Sequence, residues 1–250
     1  MKSKLVLIGA GPGAADLITY RGLKAIQKAK VILYDALVDD ELLGMANPGA
    51  VKVFVGKRGG RPSFKQSKIN QLIVSYASIY GEVIRLKGGD PFIFGRGLEE
   101  VDFAKKNGME VEVVPGISSA TGLTALHQVS LTQRGIADGF WVLTATKAGD
   151  SLNRDLELAA KSSATVVILM GVSKLQQIVE VFKKQDRQKT PVLIIQNGAK
   201  KDEKLVLSIV ENIVDEATLN KVKAPAIIVI GETVSMQHEL AIQSATKFLN

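Results

Sequence analysis

Short apolar runs recur along this chain and alternate with stretches in which apolar residues return every three or four positions. The runs Lys4–Gly9, Val31–Asp35, Val51–Val55, Glu82–Leu86 and Val111–Val114 predict strands. Between the third and fourth, Ile69, Leu72, Ile73, Tyr76 and Ile79/Tyr80 follow the i, i+3, i+4, i+7 spacing of one buried helix face. Pro115-Gly116 then breaks the pattern and predicts a hinge, so the chain is divided into a lobe of residues 1–115 and a lobe of residues 116–250. A second series of runs follows at Phe140–Thr144, Thr165–Met170, Val192–Gln196, Lys204–Val210 and Ala226–Ile230, with helices expected around Leu152–Lys161, Leu175–Lys184 and Val234–Phe248. Alternation of this kind predicts an α/β protein. The expectation is two α/β lobes of about five strands each, with a cleft between them.

Composition narrows the function classes. No stretch reaches the 18 apolar residues that a membrane span needs. The start Met1-Lys-Ser-Lys4 leads straight into a strand without an apolar leader, from which a cytoplasmic protein is expected. With no cysteine, the chain has no disulfide, thiolate nucleophile or zinc–thiolate site. Its two histidines, His127 and His238, lack ligand spacing, and no metal site is expected.

The formal net charge of +7 points to an anionic partner. Its distribution says more than its size. Lys57, Arg58, Arg61, Lys65 and Lys68 fall in one Gly/Pro-interrupted segment, and Arg85, Lys87, Arg96 and Arg134 sit beside glycine-rich turns. Charges at strand ends read as ligand binding, whereas those of Lys24, Lys28, Lys183 and Lys184 read as solvated helix surface. Aromatic residues make up only 5% and fall mostly within apolar runs, which disfavours stacking on nucleic acid.

Two motifs carry candidate chemistry. The first is Ile8-Gly9-Ala-Gly11-Pro12-Gly13-Ala14, with Asp35 ending the next strand. It imitates a dinucleotide-binding fingerprint. Pro12 counts against that reading, because it has no N–H to offer a pyrophosphate and it fixes φ within the turn. The second is the string Arg85-Leu-Lys-Gly-Gly-Asp-Pro-Phe-Ile-Phe-Gly-Arg-Gly-Leu-Glu-Glu100. Glycines leaving a strand let backbone come close to a ligand, Asp90 can accept hydrogen bonds, and Phe92 and Phe94 offer apolar faces.

The second string, together with Val6–Gly13 and Leu17-Ile-Thr-Tyr-Arg21, resembles the signatures of the tetrapyrrole methylase family, and within it the uroporphyrinogen-III C-methyltransferases. The resemblance spans the chain from about Lys4 onward. It implies S-adenosylmethionine as cofactor, S-adenosylhomocysteine as its product, a tetrapyrrole substrate and a homodimer. It also implies two methylations of uroporphyrinogen III, at C2 and C7, giving precorrin-2 by way of precorrin-1 for sirohaem, cobalamin or haem d1.

The family's roles carry over residue by residue. Asp35, in Tyr34-Asp-Ala-Leu-Val38, is implied as proton acceptor, although it also fits a cap for the helix beginning near Asp39. Lys57, in Gly56-Lys-Arg-Gly59, is implied as proton donor; Lys57 and Arg58 also fit a solvated loop. Arg96 is implied to meet substrate carboxylates through its bidentate guanidinium, with Arg58 and Arg134 as further substrate contacts. An ion pair of Arg96 with Glu99 or Glu100 is the structural alternative. Cofactor contacts are implied at Pro12, Gly88, Gly89, Asp90, Ile93, Ser118, Ser119, Met170, Gly198 and Pro225. Met170 equally fits a core methionine ending a strand.

The chain departs from the family pattern at Ala36, where arginine is usual, at Gln133 for histidine, at Leu98 for glycine, and along His127-Gln-Val-Ser130. These bear on substrate geometry rather than on the reaction. Other readings are a sister enzyme acting on a later corrin precursor, an rRNA or diphthine methylase of the same fold, and a dinucleotide-binding module without enzymatic activity.

Overall fold

A computed structural model describes residues 3–56, 64–146 and 151–235. The chain divides into two compact units, Met1–Ser119 and Ala120–Asn250. The first contains β1 (Lys4–Gly9), α1 (Tyr20–Lys28), β2 (Val31–Tyr34), α2 (Asp40–Gly44), β3 (Val51–Phe54), α3 (Gln66–Tyr80), β4 (Glu82–Lys87), α4 (Gly97–Lys106) and β5 (Glu110–Val114). The second holds most of α5 (Ser119–Leu126), then β6 (Phe140–Thr144), α6 (Asp155–Lys161), β7 (Thr165–Leu169), α7 (Leu175–Lys183), β8 (Pro191–Gln196), β9 (Lys204–Ile209), α8 (Ile213–Leu219) and β10 (Ala226–Ile230). No helix among the described residues is long and apolar enough to cross a membrane.

The first sheet has the order β3-β2-β4-β1-β5 and is parallel throughout. Parallel strands covered by helices on both faces must be apolar on both sides. In β1, Leu5, Val6, Leu7 and Ile8 are accordingly all buried. Alternation sorts them: Val6, Ile8, Ile32, Ile84 and Leu86 join one cluster, while Leu5, Val31, Leu33 and Val83 join another with Ile69, Ile73 and Ala77 of α3. The helix face read from the sequence holds through Tyr80, which packs on the second cluster, whereas Ile79 points to solvent. Every strand of this sheet ends its carboxyl edge on the same side, where α/β proteins place ligands.

The second sheet, of order β6-β7-β10-β8-β9, is mixed, with only the β6–β7 pair parallel. Val166, Ile168, Val192, Ile194, Ile228 and Ile230 face α6, α7 and α8 in one core. Val167, Leu193, Ile195, Ile227 and Val229 face Ala120 and Leu123 of α5 in the other. The strand expected to include Met170 stops at Leu169, because Met170 turns into the left-handed region at φ 54. The helix expected over Val234–Phe248 lies beyond the described residues after Ser235.

Candidate functional site

Three loops meet at the carboxyl edge of the parallel sheet. The loop after β1 and the loop after β4 are joined by a short bridge, in which Gly89 N–H donates to Gly11 O at 2.7 Å and Gly11 N–H to Gly89 O at 3.3 Å. The loop after β5 closes against both. A Cβ on Gly116 would lie 2.3 Å from Gly89 O and 2.6 Å from Gly9 Cα, and one on Gly9 would lie 2.5 Å from Gly116 Cα. No side chain fits at either position. Asp90 fixes the third loop to the second, since its Oδ2 accepts from Gly116 N–H at 3.0 Å and its Oδ1 from Phe92 N–H at 2.8 Å.

This assembly brings Pro12, Gly88, Gly89, Asp90, Ser118 and Ser119 together. Gly88 abuts the loop after β2, where its Cβ would meet Leu37 Cβ at 2.6 Å. Ser119 opens α5, and its amide nitrogen lies 4.0 Å from the Cβ position of Gly89. Ile93 sits on the turn closed by its N–H to Asp90 O and, with Phe92 and Phe94, leaves an apolar rim in solvent. Gly9 stood in the sequence within the first glycine motif and Gly116 as part of the Pro115-Gly116 hinge; that the two pack against each other is what the structure adds.

Asp35 stands at the end of β2 with its N–H on Leu86 O. Its Oδ1 accepts from Arg85 Nη2 at 2.6 Å, and its Oδ2 lies 3.7 Å from Lys87 Nζ. It does not cap α2, because Asp39 does so through Glu41 N–H. Arg85 and Lys87 correct the reading of strand-end charges as ligand contacts. Both lie within β4 and are buried, at 1% and 5% exposure. They face the sheet side of Val83, where a charge needs a partner. Arg85 also donates from Nε to Glu100 Oε1 at 3.1 Å and from Nη1 to Leu86 O at 3.0 Å. Burial alone would lower the Arg85 pKa; the carboxylates of Asp35 and Glu100 outweigh it and raise the pKa.

Arg96 begins α4 in the left-handed conformation, φ 59, and pairs bidentately with Glu99 at 2.7 Å from Nε and from Nη2. That hydrogen bond raises the Arg96 pKa and lowers that of Glu99. Both side chains are more than half exposed, so the pair is readily exchanged. Lys57 and Arg58 lie outside the described residues.

In the second unit, Met170 after β7, Gly198 after β8 and Pro225 before β10 fall on one edge of the mixed sheet. Met170 is 60% exposed and so is not a core methionine. Asn197 N–H donates to Pro225 O at 3.0 Å, and a Cβ on Gly198 would meet Leu123 Cδ1 at 2.4 Å. Arg134 is apart from these, exposed on the turn between Gln133 and Ala137.

The topology disposes of the dinucleotide reading. In that fold β1 lies beside β2 and a helix opens directly on the glycine turn. Here β4 separates β1 from β2, and α1 begins only at Tyr20, after a 3₁₀ turn at Ala15–Leu17. The glycine turn after β1 therefore has no helix opening directly on it to receive a phosphate. Such a parallel α/β unit, with glycine-rich loops and the Asp35 carboxylate at its carboxyl edge, defines a candidate small-molecule site.

Residues 4–213 match the family described as Tetrapyrrole (Corrin/Porphyrin) Methylases, and the chain belongs to that family. It is 42% identical, over 94% of its own length and 98% of the relative's, to a uroporphyrinogen-III C-methyltransferase of Methanocaldococcus jannaschii. It is also 42% identical to a siroheme synthase of Actinobacillus pleuropneumoniae, of which it spans only 48%. The crystal structure of a Thermus thermophilus uroporphyrin-III C-methyl transferase complexed with S-adenyl homocysteine superposes with a TM-score of 0.79 at 34% identity, covering 92% of this chain and 93% of that one.

Proposed function

We propose that this protein is an S-adenosylmethionine-dependent methyltransferase that methylates uroporphyrinogen III at C2 and C7, giving precorrin-2 by way of precorrin-1 for sirohaem or cobalamin synthesis. The observation that carries the reading is the joining of the Gly88–Asp90 turn to Gly11 and Gly116, beside an Asp35 carboxylate held by Arg85. Likeness along nearly the whole length to a uroporphyrinogen-III C-methyltransferase supports the substrate.

The glycine cradle fits the cofactor. A Cβ at Gly9 or Gly116 would fill the space where the loops meet, and each Asp90 oxygen keeps a lone pair for a hydroxyl or amine. When bound, the cofactor supplies an electrophilic methyl group. Pro12, Gly88, Gly89, Asp90, Ile93, Ser118 and Ser119 are the contacts for its amino-acid and ribose parts, and Met170, Gly198 and Pro225 those for adenine. Methyl transfer to carbon depends mainly on orientation and exclusion of water. The proton that leaves the macrocycle as the new carbon–carbon bond forms goes to Asp35 Oδ2, the oxygen not bonded to Arg85. Lys57 supplies the matching donor. Arg96 exchanges Glu99 for a substrate carboxylate, and Arg58 and Arg134 meet others. The assembled form in this reading is a cytoplasmic homodimer.

The test is strictly anaerobic incubation of the protein with S-adenosylmethionine and uroporphyrinogen III. A dimethylated product is expected. No reaction with uroporphyrinogen III, together with turnover of a later precorrin, overturns the assignment in favour of a sister enzyme.

A further inference from the structure

Four charged groups share the face of the parallel sheet that α3 and α4 cover. Arg85 and Lys87 project from β4, Asp35 follows β2, and Glu100 comes from α4 with no exposed surface. Glu100 takes its donors on one oxygen: Gln66 Nε2 at 3.0 Å, Arg85 Nε at 3.1 Å and Lys87 Nζ at 3.1 Å all reach Oε1. Its Oε2 is buried without a hydrogen-bond partner among the described residues. Ionic clusters of this kind are often no more stable than an apolar core of the same volume. Stability therefore does not explain why this one ends on a partly exposed carboxylate.

We propose that Glu100 and Lys87 are positioning residues for Asp35. Arg85 and Lys87 orient the Asp35 carboxylate, one on each oxygen, and Glu100 offsets part of the positive field that they place on it. The inference rests on the reading of Asp35 as proton acceptor. Two unopposed cations beside one carboxylate hold it ionised and weaken it as a base; a buried anion beyond them restores its basicity. Among the described residues, the charged groups facing Asp35 are Arg85 and Lys87 from β4, with Glu100 from α4 behind them. From α3 come only the neutral Gln66 and Asn70, bonded to each other at 3.0 Å.

Glu100→Gln isolates the charge. The amide oxygen keeps the three donors, and the amide nitrogen takes the place of Oε2. The acid limb of the pH–rate profile is expected to move down by about one pH unit, with a lower plateau rate. Lys87→Met removes a cation from Asp35 Oδ2 and is expected to move the same limb up by about one unit. S-adenosylhomocysteine affinity should stay within about threefold in both, and rates are expressed per folded molecule. A purely structural role changes melting temperature and leaves both limbs in place. Limbs that stay put, or that move in the same direction, overturn the proposal. If Glu100→Gln does not fold, an unmoved limb in Lys87→Met overturns it alone. Asp35→Asn separates the layers: wild-type turnover in that variant removes Asp35 as acceptor, whereas slow turnover with unmoved limbs in the other two sinks only the positioning role.

Discussion

Asp90 holds two loops with one carboxylate, and that sets what its substitutions should do. Asp90→Ala loses the bonds to Phe92 N–H and Gly116 N–H along with any ligand contact, at about 1.5–3 kcal/mol for a charge-assisted acceptor, so S-adenosylhomocysteine affinity should fall roughly ten- to hundredfold by calorimetry. Asp90→Asn keeps one acceptor oxygen and should fall between that variant and the wild type; unchanged affinity in both would remove Asp90 from the site. Arg96 presents the opposite case. Its pair with Glu99 is exposed and stabilises by at most about 1 kcal/mol, so Arg96→Ala should barely move the melting temperature. Turnover should nevertheless collapse with cofactor affinity within about threefold, and Arg96→Lys should rescue poorly because a point charge cannot replace a bidentate fork. A wild-type rate in Arg96→Ala would leave it as a surface ion pair. Asp90 and Arg96 stood out as candidates in the sequence because they stand in an uninterrupted string; the structure places Asp90 between two loops and Arg96 on Glu99. Arg85 and Lys87 were visible but misread, since nearness to glycines suggested a loop, whereas their parity with Val83 puts them inside the sheet.

At the scale of elements, β1, β6 and β10 run as the apolar pattern drew them, and the other strands end within about one residue; the central strands β1, β4, β8 and β10, buried almost throughout, read as continuous apolar runs apart from the paired Arg85 and Lys87. Helix faces were less sharp. Ile79 and Tyr80 both satisfy a 3.6-residue period within error, and only packing on the sheet chose Tyr80, which stacks on Tyr76 with ring centroids 6.2 Å apart. The glycine-rich start of α4 was legible as unusual, but not its reason. Gly97 N–H donates to Pro91 O at 2.9 Å, and a Cβ on Gly97 would sit 2.5 Å from that same oxygen. Gly97→Ala must displace backbone and should cost about 1–3 kcal/mol. For a chain of this size that lowers the melting temperature by roughly 2–12 °C. Because the displaced turn carries Ile93 and Arg96, turnover should drop more than stability does. An unchanged melting temperature would show that the turn relaxes freely and that glycine is not required there.

For the whole molecule, the net charge of +7 is consistent with a polycarboxylate substrate but does not single it out, and no periodicity in the sequence reports assembly. The homodimer is expected from family likeness, and light scattering at micromolar concentration should return about twice the 26.8 kDa chain mass; the monomer mass refutes it. Ligand choice is where fold and site bear on the same measurement. The Gly9–Gly13 turn imitates a dinucleotide fingerprint at the level of residues, and Pro12, the late start of α1 and the insertion of β4 between β1 and β2 separate the two possibilities. A ligand that binds the native state alone stabilises it by RT ln(1 + [L]/Kd), about 2.7 kcal/mol at a hundredfold excess over Kd. In this chain that corresponds to a rise of roughly 5–11 °C in melting temperature. S-adenosylhomocysteine should produce it and NAD should not, because Pro12 offers no N–H and α1 starts too late to receive a pyrophosphate. Asp90→Ala should shrink the S-adenosylhomocysteine shift relative to its own ligand-free melting point, which ties the effect to the cradle rather than to nonspecific anion binding. A shift with NAD and none with S-adenosylhomocysteine would overturn the cofactor assignment and the methyl-transfer reading together.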